Sequence, residues 1–139
     1  RDNLIEAYRK IFYGKNKEKQ LSAAKAWSRW EASCSFINHN PDAVKESVNA
    51  EFALAFALIE NHYFVNKGFL DNENQLLDNI SIIRNIPAVI IQGRYDVVCP
   101  PTTAYELHSK WPESELVIAP FSGHSAFEKE ITKATNKFI

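Results

Sequence analysis

Asp96 and His124 are the two residues of this chain whose types and settings point to chemistry. Each closely follows a short apolar run. Ala88-Val89-Ile90-Ile91 leads into Gly93-Arg94-Tyr95-Asp96, and Leu116-Val117-Ile118-Ala119 leads into Phe121-Ser122-Gly123-His124. Runs of this length and branching read as strands, so both polar side chains stand in loops just past strand ends. An ionised carboxylate fixes the tautomer of a neighbouring imidazole and stabilises the imidazolium formed when that ring takes a nucleophile's proton. Alone, an aspartate in a loop is ordinarily a turn residue. Together, the two predict the acid and base of a nucleophile–His–Asp triad, and Gly123 allows the histidine loop to approach closely.

The elements that must position this pair read as strand, helix, strand, helix: residues 88–92, a helix from about Thr102 to Trp111, residues 116–119, and a helix from about His124 to Phe138. Such alternation calls for a parallel sheet, whose ligand sites lie beyond the strand C-termini. The first run is apolar at successive positions and is predicted to be buried on both faces. Two parallel strands leave both edges and both faces to be covered, so the series reads as the last two strands of a larger sheet.

The first 84 residues show no period-two alternation and are predicted to be all-helical. Leu4, Ile5, Tyr8, Ile11 and Phe12 have helical spacing, and Ser22 reads as the N-cap of a helix running to about Cys34. Asn40-Pro41-Asp42 opens a further helix, and the strongest runs from about Ala50 to Val65 before Gly68. Residues 71–84 read as a short helix and connection. The division expected is a helical cap, residues 1–84, followed by part of an α/β core, residues 85–139.

Two glutamates fall inside apolar stripes. Glu31 lies among Ala23, Ala26, Trp27, Trp30 and Cys34; Glu60 lies among Ala53, Phe56, Ala57, Tyr63 and Phe64. A carboxylate facing apolar neighbours is costly unless a cation or hydrogen bonds meet it. Each alone is accounted for by a stripe edge or a nearby Arg or Lys. Two on one helical layer predict an anionic, aromatic-walled pocket for a cation carried on an apolar ring, in which like charges raise each other's pKa.

The bulk numbers exclude several classes. The chain has 139 residues, is 45% hydrophobic and 24% charged, and carries a net charge of −1, which gives no reason to expect nucleic acid or an anionic membrane as partner. No apolar run is long enough to span a bilayer, and no secretory leader is visible. Cys34 and Cys99 do not form a disulfide framework, so a cytoplasmic setting is expected. Neither histidines nor cysteines show metal-ligand spacing, and no glycine-rich phosphate loop occurs, so neither metal nor cofactor is expected. Cys99, three residues after Asp96, reads either as a substrate neighbour or as a small loop hydrophobe. The chain contains no methionine and opens on Arg1, which is expected of a piece of something longer.

Beyond these readings, the chain resembles the proline iminopeptidase (prolyl aminopeptidase) family of the α/β hydrolases essentially from end to end. The segments that carry the resemblance are Ala23-Ala24-Lys25-Ala26-Trp27-Ser28-Arg29-Trp30-Glu31, Phe52-Ala53-Leu54-Ala55-Phe56, Ile59-Glu60-Asn61-His62-Tyr63-Phe64, Gly93-Arg94-Tyr95-Asp96 and Gly123-His124-Ser125. The resemblance implies a helical cap (lid) on the last two strands and helices of an α/β-hydrolase core, and a serine exopeptidase releasing N-terminal proline from peptides. It implies Asp96 and His124 as triad acid and base, and Glu31 and Glu60 as carboxylates holding the substrate's imino group. It further implies Cys99 as a neighbour of the proline pocket.

One departure is serious: no serine here stands in a Gly-x-Ser-x-Gly elbow. The expectation is therefore a chain inactive alone, which associates with the missing half of the core or with itself. The alternatives are another capped hydrolase, an esterase or epoxide hydrolase, or a non-catalytic fragment acting only in association.

Overall fold

A computed structural model describes residues 3–139. They divide into two compact units, one running to Ser33 and from Asn40 to Leu70, the other made of Cys34–His39 and Asp71–Ile139.

The first unit is helical: α1 (Leu4–Phe12), α2 (Lys17–Cys34, whose last residue joins the second unit), α3 (Pro41–Ser47) and α4 (Ala50–Val65). Asn3, Asn40 and Asn49 cap α1, α3 and α4 through their side-chain oxygens. Helix α2 begins five residues before the predicted Ser22 cap, because Asn16 accepts the Lys19 amide at 2.9 Å and so does the capping. The intervening lysines and Glu18 form an exposed first turn, and Gln20 turns inward.

Phe12, Ala24, Trp27, Ala53 and Ala57 form the core of this unit. The alanines let the helices approach closely, and the Trp27 ring fills the remaining space edge-on to Tyr8 at 5.1 Å and Phe12 at 5.9 Å. Asn61, fully buried, ties α4 to α1 by donating to the Ile5 carbonyl at 2.9 Å. After α4 the chain turns through three residues of positive φ, Lys67, Gly68 and Phe69. That backbone is easy for glycine and strained for its neighbours. The Phe69 ring packs on His62 and Tyr63, which helps offset the strain.

In the second unit, short helix α5 (Gln75–Asp78) and a 3₁₀ turn lead to β1 (Val89–Gly93), α6 (Pro101–Lys110), β2 (Glu115–Ala119) and α7 (Lys129–Thr135). The strands pair in parallel, Val89 with Glu115 through Gly93 with Ala119. Among the described residues the sheet has these two strands only. Strand β1 is accordingly not buried on both faces: Val89 is exposed and Ile90 to Gln92 are half-buried. Helix α7 starts five residues later than expected. The chain from His124 to Glu128 is held instead in a turn that positions the histidine.

Because Phe12 has 3% exposure and touches both Tyr8 and Trp27, Phe12→Ala should destabilise the helical unit by roughly 3 kcal/mol, seen as a lower urea midpoint.

Candidate active site

The register of the sheet builds the site. Gly93 and Ala119 end their strands side by side, so the two following loops leave the sheet together. The ladder continues past the strands: the Arg94 amide donates to Ala119 O at 3.0 Å and the Tyr95 amide to Ser122 O at 2.9 Å. At Gly93 a side chain is excluded by space, since a Cβ there would lie 1.9 Å from the Gly123 carbonyl oxygen. The loops thus touch through bare backbone.

This contact delivers His124 to Asp96. The imidazole Nδ1 lies 3.0 Å from Asp96 Oδ2. Asp96 is buried and its other oxygen accepts the amides of Val98 and Cys99 at 2.9 and 2.8 Å. Burial by itself pushes the Asp96 carboxyl up. The Cys99 amide, the hydrogen bond and charge of His124, and the Val98 amide outweigh it and hold the carboxyl below its ordinary value. An ionised carboxylate only accepts, so Nδ1 carries the proton and Nε2 is left as the basic nitrogen. This is the arrangement expected of a triad acid and base.

Cys99 lies beside the acid, with its backbone engaged: its amide binds Asp96 and its carbonyl accepts Gln92 Nε2 at 3.1 Å. Its side chain belongs to an exposed residue. Glu31 and Glu60 are both half-buried in the helical unit. Glu60 Oε2 accepts the indole N–H of Trp27 at 2.7 Å, and Trp27 also packs on Phe64 with ring centroids 6.0 Å apart. Glu31 lies one turn beyond Trp27, continuing the face of α2 that buries Gln20, Ala24, Trp27 and Ser28. The expected aromatic stripe is partly turned outward, with Trp30 65% and Tyr63 51% exposed. His108 is half-buried, its Nδ1 3.0 Å from Ser114 Oγ.

Three features escaped sequence reasoning. Gln92, at the end of an apolar strand, reaches Asp96 Oδ2 at 3.3 Å. The Ser35 carbonyl accepts the amides of His124 and Ser125 at 2.9 and 2.8 Å. Glu128 is buried and binds backbone amides on two segments. A glutamine inside a strand and a glutamate four residues after a loop histidine were the available signals. For Ser35 there was none, because a backbone carbonyl has no sequence signature.

Parallel strands joined by a helical crossover are consistent with part of an α/β-hydrolase core, and an α/β-hydrolase family model described as TAP-like protein matches residues 71–139. The chain as a whole is a relative of the proline iminopeptidases. It is 49% identical over 142 residues to the proline iminopeptidase of Xanthomonas citri, covering 99% of this chain and 45% of that protein. It is 47% identical over 130 residues to that of Arabidopsis thaliana, covering 94% of this chain and 34% of the relative. With that of Neisseria gonorrhoeae it shares 45% over 134 residues, covering 96% and 42%. The chain thus spans less than half the length of these relatives.

Asp96 has a depressed folded-state pKa, so it contributes stability above the ordinary carboxylate range and loses that contribution as pH falls through the folded value. Chemical denaturation followed against pH should show this acid limb in the native sequence, and Asp96→Asn should flatten it.

Proposed function

We propose that this chain carries the acid–base pair and the amino-terminus recognition groups of a serine aminopeptidase that releases N-terminal proline from peptides. The observation that supports this most is the 3.0 Å approach of His124 Nδ1 to a buried, amide-stabilised Asp96, in a chain related to proline iminopeptidases throughout its length.

In this reading the nucleophilic serine comes from polypeptide outside this sequence, since no Gly-x-Ser-x-Gly occurs here. His124 Nε2 takes the proton of that serine as its oxygen attacks the prolyl carbonyl. The imidazolium, held by Asp96, returns the proton to the leaving amine as the peptide C–N bond breaks. Water, deprotonated by the same nitrogen, then splits the prolyl ester and restores the serine. Without nucleophile and oxyanion donors most of the rate enhancement is lost, so the 139 residues alone are inactive.

Glu31 and Glu60 take the cationic imino terminus. Half-burial makes an anion costly there, and a bound cation offsets that cost. The aromatic setting of Glu60, with Trp27 and Phe64 in ring contact, suits the pyrrolidine ring. A blocked terminus brings no charge and is rejected, which makes the enzyme an exopeptidase. Cys99 completes the proposed substrate-binding set, on the strength of the resemblance and of its place in the Asp96 loop. The two-stranded sheet needs covering edges, so the isolated 139 residues associate with the rest of the hydrolase core or with one another.

In the intact protein, His124→Ala and Asp96→Asn should lower kcat for a prolyl arylamide by about 10⁴-fold. Glu31→Gln and Glu60→Gln should lower kcat/KM by about 10- to 100-fold each, with melting temperatures little changed. Wild-type kinetics in both glutamine variants, or equal cleavage of free and N-blocked substrates, would overturn the assignment and favour a neutral-substrate hydrolase such as an esterase or epoxide hydrolase.

A further inference from the structure

We infer that Glu128 is the positioning residue of the catalytic histidine, the anchor that fixes the 123–125 loop so that the His124 ring meets Asp96. Its two oxygens bind two different segments: Oε1 accepts the Ile37 amide at 2.6 Å, and Oε2 accepts the Gly123 amide. Gly123 is the residue before the histidine and the one whose carbonyl lies against Gly93. Ser35, two residues before Ile37, accepts the next two amides, those of His124 and Ser125. Three successive N–H groups are therefore held, the first by Glu128 and the others by the strap that Glu128 itself fastens.

A carboxylate is needed here for a physical reason. Two backbone donors converge on one side chain, and only an ionised carboxyl offers an acceptor to each. Glutamine keeps the shape, but its NH₂ group would confront one of the donors. Glu128 is 9% exposed, so a donor left facing that NH₂ has little access to water. The loop would then shift by a fraction of an ångström to an ångström while the hydrophobic packing of the unit stays. Displacement on that scale at a reacting group costs about 100-fold in rate.

This inference rests on the peptidase reading for its kinetic consequence but not for its structural one. In the intact protein, Glu128→Gln is expected to lower kcat for a prolyl arylamide about 100-fold with KM within about twofold, since substrate binding is not its task. The native protein should show an NMR signal for the His124 Nδ1 proton, and this signal should broaden or vanish in the variant through exchange with water. Native kcat together with an unchanged ring-proton signal overturns the inference. Should the variant fail to fold, through-hydrogen-bond couplings in the native protein decide the matter. Both the Gly123 and Ile37 amides should couple to the Glu128 carboxyl carbon, and absence of either coupling overturns the anchor. If His124→Ala costs nothing in the same assay, the peptidase reading falls, while the ring-proton signal still judges Glu128.

Discussion

The contact between Gly93 and the Gly123 carbonyl is the constraint on which the site depends. The two strands end in register, and their following loops continue to exchange backbone hydrogen bonds for two further residues. That continuation is open only to a residue without a side chain at position 93, where a Cβ would stand 1.9 Å from a carbonyl oxygen. Held this closely, loops that begin abreast at Gly93 and Ala119 bring a residue three positions past one strand within hydrogen-bond range of a residue five positions past the other. The distance between Asp96 and His124 is thus set by sheet register and van der Waals radii.

Charge is managed by the same backbone. Asp96 is nearly removed from water, which alone favours its neutral form, yet an acid able to orient an imidazole must remain ionised. Two amides from its own loop and the imidazole supply the compensation, and Gln92 adds a donor from the strand. Two of these four donors are amides of the turn itself, so half of the arrangement is fixed in advance by the backbone. In the helical unit the indole of Trp27 serves Glu60 in the same manner, as a neutral donor that stabilises an anion without cancelling its charge.

How much of this could be read from the chain follows from where each interaction's partners lie. The strand–helix–strand series was legible because apolar runs and their breaks are local, and Asp96 and His124 were legible because each stands just past such a run. The helical character of the first 84 residues was legible for the same reason, and the stripe argument put Glu60 among apolar side chains, where Trp27 meets it. The stripe itself was drawn slightly rotated. Periodicity weights every apolar residue alike, whereas close helix packing selects the small ones, so Ala24, Ala53 and Ala57 lie inside while Trp30 and Tyr63 face out. The start of α2 was missed because Asn16 was overlooked in a run of lysines. Burial of β1 was overestimated because apolar composition specifies what a strand tolerates on its faces, and among the described residues only one neighbouring strand is present.

The fastening of the histidine loop was illegible for a deeper reason. Ser35 contributes a carbonyl, Ile37 an amide, and Gly123, His124 and Ser125 amides, none of which has a sequence signature, because every residue but proline carries both groups. Glu128 takes part through its side chain, and its Ile37 partner is 91 positions away in the chain. A motif reading finds the groups that react, since their chemistry depends on side-chain type. It passes over the groups that hold them still, since holding can be done by main chain from any sequence. Where a single side chain gathers several such main-chain bonds, as Glu128 does, its identity again matters, and the loss of one carboxylate oxygen would reach the His124 ring through backbone alone.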